Sequence, residues 1–277
     1  MFPKNRKIED LIFEILSEGQ ISTMSLIKKI NEIRPTTTKQ AVYKALRLLR
    51  KDEIIIQNRE EVSLSSIWIK KLADFTEKAE LHYKSNDQPS INFLGLKQGE
   101  KISYSFKTFE TTDVFWCHAF DILADIIALS SPLFLYYPHE WFFLARIESE
   151  IYLFDKAVRN GKKIFCLVGN KDPLDEFVSK YFDSDKKNYF ASTEPIFKVK
   201  SNYYVNIFDD FLIEVWLDPK ISEALDLFYK ETKVLDEQSK DKILAIIKQK
   251  GRNKLVISRN KRKADMIRRV FSKFFVL

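Results

Sequence analysis

Glycine is scarce in this chain, at six of 277 residues. A loop that cradles a phosphate group needs several glycines close together, because only glycine lets the backbone approach the phosphate so closely. No segment carries such a group, and neither a nucleophile turn of the form G-x-S-x-G nor a two-histidine helix of the form H-E-x-x-H occurs. These absences argue against nucleotide-binding, serine-hydrolase and metalloprotease chemistry.

Cysteine is scarcer still. Cys117 and Cys166 stand in apolar surroundings and match no paired metal-ligand spacing, so we expect two buried free thiols. The adjacent Asp209 and Asp210 could bind a metal, but a hairpin turn is the simpler explanation. We therefore expect neither a metal nor a cofactor.

Long hydrophobic runs are also missing. No stretch of 18 apolar residues occurs, and the first residues, MFPKNRK, have no apolar region behind their charges. We expect a cytoplasmic protein with no membrane partner. At 45% hydrophobic residues, including 23 Phe, the chain has ample material for a core, and its length suits about two domains.

Charge is distributed unevenly. The net charge of +7 divides into +4 for residues 1–70, −8 for residues 71–239 and +11 for residues 240–277. Binding to a polyanion therefore belongs to the two ends. The basic tail could contact the flanks of a DNA site, or it could remain solvated or pair with the acidic middle of the same chain.

The first 66 residues predict three helices and a hairpin. Apolar residues repeat at helical spacing over 8–16 and again from Met24 to Ile33, where Arg34-Pro35 ends the second helix. A third helix follows over 36–51, capped by Thr36 or Thr37. Two β-branched segments around a polar turn then predict a hairpin, so the order is that of a winged helix-turn-helix domain.

The third helix has two different faces. Its apolar residues Val42, Ala45, Leu46 and Leu49 recur at three and four positions and can pack on a core. Its other face carries groups that can reach phosphates and base edges, and Gln40 is the residue best suited to read a base. Arg59, at the tip of the hairpin, is a further predicted contact. The neighbouring Glu60 and Glu61 oppose close contact with phosphate there. The predicted DNA contacts are Thr36, Thr37, Thr38, Lys39, Gln40, Tyr43, Lys44, Arg47 and Arg59.

The segment TKQAVYKALRLL, residues 38–49, resembles the DNA-binding domains of MarR-, PaaX- and TrmB-like transcription regulators. The resemblance implies double-stranded DNA as the partner, with the third helix in the major groove. Winged helices also bind proteins or RNA, and both alternatives remain open.

Residues 67–90 are interpreted as a linker. A helical pattern over 67–83 carries Leu72, Phe75 and Ala79 on one face, and the turn-rich residues 85–90 end it. This helix either pairs with its copy in a homodimer or packs on its own chain.

From residue 91 onward helical and strand patterns alternate, which predicts an α/β domain with a mixed sheet over 91–277. The predicted helices cover 120–129, 148–160, 172–182, 221–234, 239–250 and 261–275, and the predicted strands cover 101–106, 132–137, 163–168, 197–199, 203–208, 211–217 and 255–258.

The run 150–168, EIYLFDKAVRNGKKIFCLV, is similar to the helix-Gly-strand unit of phospholipase D-like domains, and 204–216, YVNIFDDFLIEVW, to the sensor domain of TrmB-like regulators. The catalytic form of that domain needs a histidine, a lysine two residues later and an aspartate five residues beyond the lysine. His118 and His139 lack the lysine, and His82, which has Lys84, lacks the aspartate. The resemblance thus implies a catalytically degenerate domain.

A small-molecule effector is the remaining expected partner. Ligands in open α/β sheets bind outside the carboxyl ends of strands, which favours Tyr137, His139 and Trp141, unless these rings simply fill the core or an interface. We predict a sequence-specific DNA-binding transcription regulator, not an enzyme, with an effector-sensing or oligomerisation domain. The alternatives are a nucleic-acid-processing or phosphodiester-acting enzyme that uses the winged helix as a substrate anchor, and a protein-interaction adaptor.

Overall fold

The chain divides into two units, Met1–Ser85 and Asn86–Leu277. The computed structural model describes residues 7–84, 93–182, 184–193, 196–197 and 202–276. The predicted turn at 85–90, residues 198–199 of a predicted strand and the side chain of His82 lie outside the described part. Each unit has its own hydrophobic core.

The first unit contains four helices: α1 (Ile8–Leu16), α2 (Thr23–Ile33), α3 (Lys39–Lys51) and α4 (Ser66–Lys84). Ser22 caps α2 by accepting a hydrogen bond from the Ser25 N–H at 3.2 Å. The apolar faces of α1, α2 and α3 meet in one core, with Leu26, Ile30 and Val42 fully buried. The helix-turn-helix arrangement follows directly from these three stripes.

Three short strands complete this core: β1 (Ile21–Ser22), β2 (Ile55–Asn58) and β3 (Glu61–Leu64). The order is β1-β3-β2 and both pairings are antiparallel. The hairpin turn is tight, because Asn58 and Glu61 pair directly and leave two residues between them. One buried side chain from each strand of the hairpin, Ile55 and Val62, faces the helices.

Helix α4 begins against α1 and carries several exposed apolar side chains. The ring of Trp68 stacks on Phe13 of α1 at 5.5 Å between centroids. Farther along, Leu72 and Phe75 are 39% and 67% exposed.

The second unit is an α/β domain, as the sequence predicts. Its strands are β4 (Lys101–Thr108), β5 (Leu133–Tyr137), β6 (Ile164–Val168), β7 (Lys187–Ala191), β8 (Tyr203–Phe208), β9 (Phe211–Trp216) and β10 (Lys250–Arg259). Its helices are α5 (Phe109–Ile126), α6 (Phe142–Ala145), α7 (Ile147–Arg159), α8 (Pro173–Ser179), α9 (Pro219–Glu231), α10 (Glu237–Ile247) and α11 (Lys261–Phe271).

The seven strands form one mixed sheet in the order β4-β10-β9-β8-β5-β6-β7. Strands β5, β6 and β7 run parallel, and the other pairings are antiparallel. Parallel strands need long crossovers, and helices fill them here. The carboxyl ends of β5 and β6 therefore meet at one edge of the sheet.

Both faces of the sheet are covered. Leu133, Leu135 and Tyr137 of β5 point into the core formed with α5 to α10, whereas Phe134 and Tyr136 point to the opposite face, where α11 packs. This two-sided burial explains why β5 and β6 are nearly continuous apolar runs.

Several predicted elements need correction. Helix α5 begins at Phe109, eleven residues earlier than predicted, because Thr108 caps it by accepting from the Thr111 N–H. The edge strand β7 was not predicted, and Phe197, placed in a strand, lies in a bend. No helix within the described residues is long and apolar enough to cross a membrane.

Candidate functional site

Helix α3 is held rigidly at its start and along one face. The Thr38 hydroxyl caps it by accepting from the Ala41 N–H at 3.2 Å. The side chains of Val42, Ala45 and Leu46 are at most 2% exposed. The opposite face of α3 is consequently turned to solvent.

That outer face is polar and cationic, and it contains no acidic residue. Its exposed side chains include Lys39, Gln40, Tyr43, Lys44, Arg47, Arg50 and Lys51, and the apolar Leu48 of α3 is exposed as well. Within the described part of the chain, no hydrogen bond or ion pair engages the charged groups of Lys39, Lys44 or Arg47 with an acidic side chain. Their positive charge is thus available to an external anion.

Two of the three threonines before α3 are placed differently from the prediction, which made all three DNA contacts and made Thr36 or Thr37 the cap. Thr36 is exposed, but Thr37 is buried at 8% exposure and its hydroxyl has no partner among the described residues. Thr37 therefore offers little surface for the predicted DNA contact. Thr38, rather than Thr36 or Thr37, caps the helix, because it is the last residue with extended backbone before Lys39.

The wing is fastened to the start of α2. Both the backbone N–H and the hydroxyl of Thr23 donate to the Glu60 carbonyl, at 2.7 and 2.8 Å. Arg59 occupies the tip with a left-handed φ of 55° and is exposed, as predicted for a contact residue. The side chains of Glu60 and Glu61 are also exposed beside it.

The three predicted ligand residues of the second unit do not surround one pocket. Tyr137 packs against Trp116 and Phe142, and its hydroxyl accepts from the Asn206 amide at 2.7 Å. The cavity beside it holds about 10 Å³, roughly the space of one water. Trp141 is fully buried against Phe142. Tyr137 and Trp141 fill the core, and the expectation that they line a ligand-sized cavity is corrected.

His139 stands apart from those rings, in a cluster of carboxylates. Its Nδ1 lies 3.1 Å from Asp175 Oδ2 and 3.8 Å from Asp172 Oδ2, and its Nε2 lies 3.2 Å from Asp226 Oδ1. The Asn170 amide nitrogen is 3.3 Å from the same Nε2. The side chain of His139 is 2% exposed and that of Asp175 is fully buried.

The protonation of this cluster follows from its charges. Burial lowers the pKa of His139, but the contacts with Asp175 and Asp226 outweigh burial and raise it to about 9. Burial raises the pKa of Asp175, while the hydrogen bond with His139 lowers it. In the absence of another cation, His139 is an imidazolium at neutral pH.

Sequence reasoning found His139 but missed its partners. Asp172 and Asp175 follow β6 as His139 follows the neighbouring parallel strand β5, so the strand order could have paired them. Asp226 lies on α9, and no spacing in the sequence connects it to His139.

A second buried polar cluster surrounds Arg146. Its Nη2 lies 3.0 Å from both Asp113 Oδ1 and Glu150 Oε1 and 2.8 Å from the sulfur of Cys117. Burial raises the pKa of Asp113 and of Glu150 to about 7, although Arg146 lowers both. Cys117 is only partly buried, unlike Cys166, and both thiols are free.

The basic tail is partly neutralised within the second unit. Lys263 contacts both oxygens of Glu214, at 2.6 and 2.7 Å, and Arg259 contacts Asp210 at 2.8 Å. Asp210 thus holds an arginine in the hairpin turn between β8 and β9. These contacts agree with intramolecular use of part of the tail's charge.

Comparisons with known proteins give distant likenesses of fold. No family model and no curated protein matches the chain. TrmBL2, an archaeal chromatin protein whose structure shows a novel mode of DNA binding, aligns at 12% identity and a TM-score of 0.36, over 96% of this chain and 90% of that one. NucT from Helicobacter pylori aligns at the same identity and TM-score, over 63% of this chain and 95% of that one. Neither likeness says what this chain binds.

Proposed function

We propose that the protein binds double-stranded DNA through the outer face of α3 and acts as a sequence-specific transcription regulator. The observation that carries this proposal is the pairing of a locked apolar face with an outer face that has cations and no carboxylate. A helix of this kind can lie in the major groove of DNA, where its cationic side chains contact phosphate oxygens. Gln40, near the start of α3, is placed to read an adenine.

The test compares salt-dependent DNA binding of two triple variants of the full chain. One variant replaces Lys39, Lys44 and Arg47 by Gln. The matched control removes three exposed cations of α4 instead: Lys70, Lys71 and Lys78. Each phosphate contact contributes about 0.9 to the slope of log affinity against log salt concentration, so three contacts contribute about 2.7 per protomer.

Between 50 and 200 mM salt, that slope corresponds to about a 40-fold change in affinity for each protomer that binds. We expect the α3 variant to lose this salt dependence and most of its affinity for random duplex DNA, whereas the α4 control keeps both. If the α3 variant binds DNA as the unmodified protein does, α3 is not the DNA-binding element. Replacing the duplex with RNA in the same titration tests the RNA alternative.

We further propose that the protein is a homodimer paired through α4. Leu72, Phe75 and Ala79 follow a spacing of three and four residues, as in a helix that pairs with its copy, and Leu72 and Phe75 are exposed. Two copies would present two α3 helices to two half-sites. Light scattering should show a dimer that Phe75→Glu converts to a monomer, while Ile69→Glu, on another side of α4, leaves it intact. A monomeric unmodified protein at micromolar concentration contradicts this pairing.

The second unit is proposed to regulate DNA binding or assembly without catalysis. Supporting this, His139 lies among the carboxylates of Asp175 and Asp226, whereas phosphodiester chemistry of the His-Lys-Asp type requires a lysine beside the histidine. Incubating the protein with a chromogenic phosphodiester tests the proposal, and turnover that is lost in His139→Gln refutes it.

A further inference from the structure

The His139 cluster occupies a characteristic position for a ligand site. His139 follows β5 by two residues, and Asp172 and Asp175 follow the adjacent parallel strand β6 by four and seven residues. In open α/β sheets, groups at the carboxyl ends of neighbouring strands converge on bound ligands. DNA binding through α3 uses none of these residues.

The donor atoms are spaced as metal ligands are. The ring nitrogen of His139 and one oxygen each of Asp172 and Asp175 lie within 4.8 Å of one another. Nitrogen and oxygen ligands bind a transition metal at about 2.0–2.2 Å, which places pairs of them about 3 to 4 Å apart. The measured separations of 3.1 Å for His139–Asp175 and 3.8 Å for His139–Asp172 fall in that range.

Groups behind the donors hold them in place. The second ring nitrogen, Nε2, faces the Asp226 carboxylate at 3.2 Å, and metal-bound histidines commonly direct their other nitrogen to a carboxylate in this way. The Glu140 backbone N–H donates to the second oxygen of Asp175 at 3.2 Å. Tyr229 stacks on the imidazole with 4.2 Å between ring centroids. The ring and one carboxylate are thus fixed before any ion arrives.

The cluster also carries more negative than positive charge. Three carboxylates face a single imidazole, and no lysine or arginine forms an ion pair with Asp172, Asp175 or Asp226 within the described residues. Buried carboxylates are costly unless a cation or hydrogen-bond donors compensate them. A divalent ion on the Nδ1 side would supply that charge.

Two residues that contact the cluster, Tyr229 and Glu140, each carry a buried oxygen that is unpartnered within the described residues. The hydroxyl of Tyr229, on the ring stacked over His139, and Oε1 of Glu140, next to His139 in the chain, are both fully buried and have no hydrogen-bond partner in the described part of the chain. An ion bound there together with its water ligands would supply partners of the kind that buried polar groups require.

We infer that His139, Asp172 and Asp175 bind a divalent first-row transition metal ion such as Mn²⁺ or Zn²⁺, with Asp226 orienting the histidine. One imidazole nitrogen with two carboxylate oxygens suits this class of ion, whereas copper(I) prefers sulfur and Ca²⁺ prefers a shell of oxygens. The alternative is an ion cluster that needs no metal, with a protonated His139 shared by its carboxylates.

The test titrates Mn²⁺ into the full chain after chelator treatment and follows the loss of the free Mn²⁺ signal by electron paramagnetic resonance. Asp172→Asn is the main variant, because this side chain is 29% exposed and its removal leaves the buried pair of His139 and Asp175 intact. Circular dichroism verifies that the variant is folded. His118→Gln and Asp209→Asn are the controls, since each changes a residue of the same type elsewhere in the second unit.

We expect one Mn²⁺ per chain, affinity at least tenfold weaker in Asp172→Asn, unchanged affinity in both controls, and competition by Zn²⁺. Absence of saturable binding, or equal binding by Asp172→Asn and the unmodified protein, overturns the assignment and favours the metal-free ion cluster. The thermal midpoint gives a second readout: Mn²⁺ should raise it in the unmodified protein and in both controls but not in Asp172→Asn, and equal increases in all four also overturn it.

Discussion

The cluster around Arg146 makes the stability of the second unit depend on pH, and the dependence is testable with Asp113→Asn. Asp113 is 2% exposed and shares the guanidinium of Arg146 with Glu150. Burial raises the pKa of Asp113 from 3.8 to about 7, even though Arg146 lowers it. In the folded state this carboxyl therefore retains its proton to a higher pH than in the unfolded chain.

The sign follows from proton binding. Between about pH 4 and 7 the folded state holds more protons than the unfolded state, so the free energy of unfolding falls as pH rises. One isolated carboxyl of this pKa would lose about 2.7 kcal/mol between pH 5 and 8, at about 1.4 kcal/mol per pH unit below its folded pKa. Because Asp113 and Glu150 share one cation, we expect Asp113 to account for about 1–2 kcal/mol of the loss.

Urea unfolding at pH 5 and pH 8 measures this, followed by tryptophan fluorescence, since three of the four tryptophans belong to the second unit. Asp113→Asn should lose about 1–2 kcal/mol less stability across the interval than the unmodified protein does. The control is Asp155→Asn, which removes a carboxylate that lies beside Lys187 and is 42% exposed. This variant should lose the same free energy of unfolding between pH 5 and pH 8 as the unmodified protein. An equal or larger fall in Asp113→Asn would refute the electrostatic account of this cluster.

Three further predictions concern single side chains. Thr38→Ala removes the cap of α3 and should lower the stability of the first unit by about 1 kcal/mol in thermal unfolding, whereas Thr38→Ser should restore most of it. Gln40→Ala should reduce discrimination between preferred and altered duplexes by about 1–3 kcal/mol and leave the salt slope unchanged; a changed slope would instead indicate a phosphate contact. Asn206→Ala leaves the Trp116 N–H and the Tyr137 hydroxyl without their partner, so it should lower the free energy of unfolding in urea by about 2–4 kcal/mol. A loss smaller than that caused by substituting an exposed residue would contradict the buried network.

The sequence was most informative where one apolar stripe determined one element. Helix α1 matches its prediction at both ends, and α7 stops before Gly161, which has the positive φ of 85° that favours glycine there. Strands β5 and β6 were recognisable because burial on both faces makes them continuously apolar. Local patterns of this kind need no knowledge of distant contacts.

Elements that depend on distant partners were missed. Strand β7, KNYFA, has neither an apolar run nor an alternation, and it is a strand because it pairs with β6 at the edge of the sheet. The first part of α5, which contains Thr111, Thr112 and Asp113, looks polar in the sequence, yet Thr112 and Asp113 are buried. Their burial is compensated by hydrogen bonds to Thr108 and Arg146, which sequence spacing cannot show.

The candidate DNA-binding surface was largely predictable, but its edges were not. Lys39, Gln40, Tyr43, Lys44 and Arg47 are exposed, as the periodicity of α3 requires. Thr37 is buried because the helix begins later than expected, after Thr38. The sequence does not show which of three consecutive threonines caps the helix, since each offers the same hydroxyl group.

The two hydrogen bonds from Thr23 to the Glu60 carbonyl have a thermodynamic consequence for recognition. They tie the wing tip to the first residue of α2, so the turn carrying Arg59 is ordered in the free protein. The conformational entropy of that turn is then lost during folding rather than during association. A contact made by Arg59 would add to affinity without the ordering cost that a loosely attached hairpin incurs, and its contribution would reside mainly in a slower dissociation rate.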